Sequence, residues 1–184
     1  MKKVYELKAE VECELLRNGN TVKTLKQECQ SFTKSFKHFI GNFLSGTGYR
    51  GFSRLPITCL DGVNRDMSYD FILYEYFITT NIAIGTSDAP FDHEQYELQS
   101  KLMYATGLTK SVDLQDYNTS VRFELTGTFN VAVEADVKET GLYGQFKATD
   151  RNAYNFLVSR DVLTTPIHVL PNDVLIVRYR ITIS

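Results

Sequence analysis

Three histidines and three cysteines, set among short runs of carboxylates, are the side chains of this 184-residue chain best suited to acid–base, nucleophilic or metal chemistry. A catalytic centre needs a nucleophile or base within reach of partners, so at least two of His38, His93 and His168 would have to meet carboxylates in one cleft. His38 falls in an expected helix, His93 in a loop beside Glu94 and Glu97, and His168 in an expected strand. His93-Glu94-Gln95-Tyr96-Glu97 lacks the second histidine that would place two zinc ligands one helical turn apart, and it reads as a solvated acidic turn. Asp61, Asn64 and Asp66 are oxygen ligands of the kind hard cations take. Their spacing departs from the helix-loop-helix calcium pattern, and no glutamate closes it. The chain carries no Gly-x-Ser-x-Gly elbow, no phosphate-binding glycine loop and no dinucleotide fingerprint. By elimination, the expectation is a protein that is not an enzyme and holds no cofactor or metal.

Interface chemistry has one clear candidate. The glycine-punctuated loop 46–54 carries Tyr49, Arg50, Phe52 and Arg54, residue types enriched where proteins touch. The plainer reading is an irregular connection whose aromatics fold back on the core. Tyr49, Asp61 and Asn64 would suit a sugar if they converged, since tyrosine rings stack on sugars. Cys13, Cys29 and Cys59 are odd in number and too widely spaced for a metal or redox motif, so they read as reduced, buried thiols. Asn118-Thr119-Ser120 fits the glycosylation pattern and reads as a turn. A net charge of −2 from 20 basic and 22 acidic residues, with no run of either sign, argues against nucleic acid as a partner. After Met1-Lys2-Lys3 the charges Glu6, Lys8, Glu10 and Glu12 interrupt any apolar stretch, so neither an export signal nor a membrane span is expected.

Elements able to position such residues are mostly strands. A chain of this length fits one domain, 1–184, that buries about 70% of the surface its unfolded form exposes. Eleven Tyr and twelve Phe with no Trp favour β structure. Val11, Cys13 and Leu15 alternate with Glu10, Glu12 and Glu14 and run into Asn18-Gly19, the strongest short hairpin signal. The hairpin is expected over 4–29, its polar return strand suited to a sheet edge. Phe32, Phe36, Phe39, Ile40, Phe43 and Leu44 then recur at steps of three and four. They predict an amphipathic helix over 31–45, capped by Ser31, ended by Gly46, and packed closely at Gly41. Without a dense basic face, that stripe suits the end of a sheet core rather than a membrane surface.

The remaining strands are expected within 56–183. A short strand at 56–60 precedes a polar loop at 61–70, a β-prone stretch at 69–84 and a turn-rich loop at 87–93. Extended segments follow at 101–114, 120–130 and 132–138, the last two read as one long strand bent at Phe129-Asn130-Val131. The final strand, 174–183, alternates Leu175, Val177 and Tyr179 against Arg178 and Arg180 after a Pro171-Asn172-Asp173 turn, and is expected to close a sheet. Many short strands and one helix near the N-terminus predict an all-β, antiparallel two-sheet β-sandwich of jelly-roll-like type.

Four segments stand in a definite order. They are Phe39-Ile-Gly-Asn-Phe-Leu44, Asn81-Ile-Ala-Ile-Gly-Thr-Ser-Asp-Ala-Pro90, Glu139-Thr-Gly-Leu-Tyr143 and Leu157-Val-Ser-Arg-Asp-Val-Leu-Thr-Thr-Pro-Ile167. In order and spacing they resemble a family of small structural proteins encoded in the virion gene clusters of tailed bacteriophages and prophages. The resemblance covers residues 31–184 and is strongest over 139–183, whereas the first hairpin and the loop 46–64 are less typical. It implies a virion component, made in the host bacterial cytoplasm, that contacts the major capsid protein or tail and neck components as a homo-oligomer or as lattice-bound copies. Capsid decoration or a head auxiliary role is the favoured placement, and tail, neck or baseplate the alternative. A carbohydrate- or receptor-binding module is the reading from another class. Within these motifs Gly141 is expected at a corner needing positive φ. Arg160-Asp161 could form an ion pair at a strand edge or contact a neighbour; because exposed pairs contribute only about 0–1 kcal/mol, the two are read as structural by default.

Overall fold

The computed structural model describes residues 7–29, 32–45, 55–67, 78–116 and 120–183. Among them the chain is mostly β, with one helix and antiparallel sheets. β1 (Leu7–Arg17) and β2 (Asn20–Glu28) form a hairpin whose turn residues Asn18 and Gly19 have φ of 52° and 78°. Asn-Gly suits that left-handed pair because glycine has no Cβ to clash and asparagine tolerates the region.

The helix α1 (Lys34–Ser45) begins later than the sequence pattern predicts. Phe32 is held in a β-bridge to Ser159, and the Thr33 N–H donates to Val158 O. Residues 32–33 are therefore still extended where a helical turn was expected, and Thr33 caps the helix, its Oγ1 accepting from Phe36 N at 3.2 Å. Gly41 does pack closely: a Cβ there would lie 3.1 Å from Leu55 Cδ1.

β3 (Ile57–Thr58), within the strand expected at 56–60, pairs with β4 (Asn64–Arg65), so the expected polar loop contributes the return strand of a small hairpin. β5 (Ile78–Gly85), β6 (Lys101–Tyr104), β7 (Gly107–Asp116), β8 (Ser120–Asn130), β9 (Ala135–Lys147), β10 (Ala153–Val169) and β11 (Val174–Ile183) complete two larger sheets. Their strand orders are β2-β1-β11-β8-β7 and β10-β9-β5-β6.

Three expectations about these strands change. The extended segment 101–114 divides at Ala105–Thr106: Ala105 N bonds Ile82 O in the four-stranded sheet, and Thr106 N bonds Thr128 O in the five-stranded one. Segments 120–130 and 132–138 are likewise separate strands in different sheets, because Val131 turns to exchange backbone hydrogen bonds with Asn172 and Asp173. β10 runs for 17 residues, and Pro166 is tolerated within it because it is an edge strand. β11 lies mid-sheet between β1 and β8 rather than at a margin.

Inward side chains from both sheets share one core. Val11, Cys13, Leu15, Phe129, Val177 and Tyr179 meet Ile82, Leu142, Phe146, Phe156, Ile167 and Val169. The helix covers part of it, Phe39 stacking on Phe156 with ring centroids 5.6 Å apart. All three cysteines are free; Cys13 and Cys59 are buried and Cys29 is half-buried. Burial pushes the Cys13 thiol up to about 12.

Candidate functional site

The densest polar construction is on the outer side of the four-stranded sheet, and a β-bulge positions it. Leu157 of β10 stands opposite Tyr143 of β9 and Ser159 opposite Leu142, leaving Val158 as the extra residue. Both Leu157 and Val158 are consequently buried, the first in a small outer cluster and the second in the main core. Beyond the bulge Arg160 pairs opposite Gly141 and Asp161 opposite Thr140.

Arg160 and Glu139 are both 0% exposed and ion-paired, Arg160 Nε donating to Glu139 Oε2. The other guanidinium nitrogens donate to Ala89 O at 2.9 Å, Gln95 Oε1 at 3.1 Å and Pro90 O at 3.3 Å. Glu139 in turn accepts from Ser100 N at 2.8 Å and Gln99 N at 3.3 Å. Desolvating two charges is costly unless their remaining donors and acceptors are filled, and here residues 86–100 fill them. Gly85 makes room for the pair, since a Cβ there would run into Glu139 Oε1 and Ser100 O.

The same stretch brings Leu98 over the sheet, its N–H donating to Tyr143 Oη at 3.2 Å. Leu98, Ala83, Tyr143 and Leu157 form a second apolar cluster with Leu60 at its margin. Gly141 lies beneath Leu98 within β9. It is not a corner, and its φ is not positive; a Cβ would sit 2.7 Å from Leu98 Cδ2. The sequence requires glycine there for close approach rather than for backbone conformation.

Asp161 does not pair with its neighbour across an exposed edge. It is 2% exposed, beside Tyr179, Cys29 and Ser159, and burial pushes its carboxyl up to about 6. It lines a groove of about 460 Å³ between β2 and β10, with Gln27, Glu28, Pro90, Phe91, Val162 and Thr164. Gln27 bridges the two strands there, donating to Val162 O and accepting from Thr164 N, both at 2.9 Å. A second groove of about 310 Å³ is lined by Leu60, Asn81, Tyr104, Tyr143, Gln145 and Asn155. Compared with protein-family models, curated proteins and solved structures, the chain matches none.

Other candidates from sequence are dispersed. Tyr49, Arg50, Phe52 and Arg54 lie outside the described residues, as do Ser31, Gly46 and the Asn118-Thr119 portion of the glycosylation pattern. His38 donates to Pro56 O at 2.7 Å, and the carbonyl of His93 accepts from Lys34 N at the start of α1. His168 contacts Asp136 at 2.9 Å and Glu134 at 3.5 Å at the surface. Among the described residues, no two of these histidines share a hydrogen-bond or ion-pair partner. Asp61 is taken up by Arg65 at 2.6 Å, which with the Val63 N–H holds its carboxyl down at about 2; Asn64 accepts from Thr58. Asp66 lends its carbonyl to Thr149 N.

Glu139 as the partner of Arg160 escaped the sequence reading. One signal was present: a charged pair interrupting the apolar run of Phe156-Leu157-Val158 and Val162-Leu163, where a solvent-facing strand would alternate.

Proposed function

We propose that this chain is a non-enzymatic structural protein of a tailed-bacteriophage virion, placed as a capsid decoration or head auxiliary protein in preference to tail, neck or baseplate. One observation carries the reading. Three of the four segments behind the resemblance, 81–90, 139–143 and 157–167, converge on the buried Arg160–Glu139 pair. Their characteristic residues thus hold strands and a covering segment together, as architecture would. The dispersal of His38, His93 and His168 fits the same reading.

The two larger sheets are read as the layers of one β-sandwich with jelly-roll-like connectivity. Their shared core and the passage of the chain between sheets at 105–106, 131–134 and 170–173 support this. A compact unit of this kind binds a lattice in many copies, so weak individual contacts suffice.

The test is cryo-electron microscopy of purified particles with copy number measured against the major capsid protein. Hundreds of icosahedrally ordered copies are expected. About 6–12 copies at one vertex would move the protein to neck, tail or baseplate, and absence from particles would overturn the virion reading. A carbohydrate-binding module is the second reading, favoured by the groove in which Asn81, Gln145 and Asn155 place side-chain amides beside Tyr104. Retention on immobilised glycans, lost in Asn81→Ala and Tyr104→Ala, would bring it forward.

A further inference from the structure

We propose that the groove between β2 and β10 is a socket for a cationic side chain, arginine or lysine, presented by another protein chain, with Asp161 as its anionic floor. Two independent observations meet there. The described lining contains two carboxylates, Glu28 and Asp161, and no basic residue. Asp161 is 2% exposed, and its Oδ2 and the nearby Ser159 Oγ have no hydrogen-bond partner among the described residues. Buried acceptors without partners are rare because the lost hydration is not replaced.

Among the described residues, cations close in sequence to the lining are already engaged. Arg160 is committed to Glu139 and residues 89–95, Lys26 to Glu10, and Lys23 to Pro166 O. A guanidinium or ammonium entering from outside would supply charge-assisted hydrogen bonds to Asp161, and arginine, with its planar fork, would do so best. Pro90 and Phe91, also in the lining, offer apolar surface for the side chain's methylene stem. The socket chemistry does not depend on where the protein sits on a particle. Only the identity of the partner rests on the assembly reading, and the two can fail separately.

The experiment is an NMR titration of the isolated full chain with N-acetyl-arginine amide, N-acetyl-lysine amide and the uncharged N-acetyl-norleucine amide. Saturable shifts confined to residues around Gln27, Phe91 and Val162 are expected, strongest for arginine and absent for norleucine. Asp161→Asn should weaken arginine binding at least about tenfold, the factor a lost charge-assisted hydrogen bond produces. Glu28→Gln and Phe91→Ala, which leave the buried polar atoms intact, should each weaken it several-fold and test the socket independently of the Asp161 variant. No saturable shift at tens of millimolar probe, equal response to norleucine, or undiminished binding in the variants would each overturn the socket.

Discussion

On the five-stranded sheet the outward charges of β1, β8 and β11 stay at the surface, whereas on the four-stranded sheet Arg160 and Glu139 are sealed beneath residues 86–100. The open face is a ladder. Arg178 reaches Glu12 and Glu14 at 2.9 and 2.8 Å, and Arg180 reaches Glu12 and Glu124 at 2.6 and 2.7 Å. These side chains keep a fifth to a third of their surface in water, so each ion pair is weak and screened by salt. On the covered face one fully buried pair carries the attachment of a whole segment. The contrast teaches that charge on a strand does not by itself mark the solvent side; what decides is whether another segment can satisfy it.

Breaking the covered face should have the largest effect. Arg160→Met alone leaves Glu139 buried and unpaired, and a loss of about 3–5 kcal/mol is expected in chemical denaturation. The double variant Glu139→Leu/Arg160→Met should recover most of that. If it does not, the hydrogen bonds from residues 86–100 outweigh the ion pair.

Leu98→Ala removes the apolar half of the same attachment and should cost about 2–5 kcal/mol, read by denaturation. Amide exchange should quicken at Gln99 and Ser100, whose N–H groups bond Glu139.

Asp161 sharpens the comparison from within the core. Its folded value of about 6 exceeds the ordinary 3.8, so between those values the folded chain holds more protons than the unfolded one, and stability falls as pH rises through that window. Asp161→Asn should therefore be more stable than the parent at pH 8, by up to about 3 kcal/mol, and nearly equal to it at pH 3.5. Thermal melts at the two pH values check this, and an unchanged difference would show the group is not desolvated.

The smallest effects belong to the open ladder. Arg178→Ala and Arg180→Ala should each change stability by about 1 kcal/mol or less, shrinking further in 1 M salt. A loss of several kcal/mol would mean the ladder behaves like the buried pair.

Much of the scaffold could be read from residue order. Asn18-Gly19 between alternating runs announced the β1–β2 hairpin, the phenylalanine spacing announced α1, and the alternation of Leu175, Val177 and Tyr179 with Arg178 and Arg180 announced β11 and both of its faces. The site was far less legible. Phe129-Asn130-Val131 looked like a bend within one strand, because a passage between sheets that is held by Asn172 and Asp173 leaves no local glycine mark.

Local patterning determined the turn, the helix and the inward faces of β1 and β11, because each depends on neighbours within a few residues and on a period of 2 or 3.6. Tertiary structure alone decided that Arg160 pairs with Glu139, that Gly141 and Gly85 make room, and that Asp161 turns toward a groove. Those outcomes rest on a one-residue bulge at Val158 and on contacts spanning 21 to 71 positions, for which side-chain period carries no information.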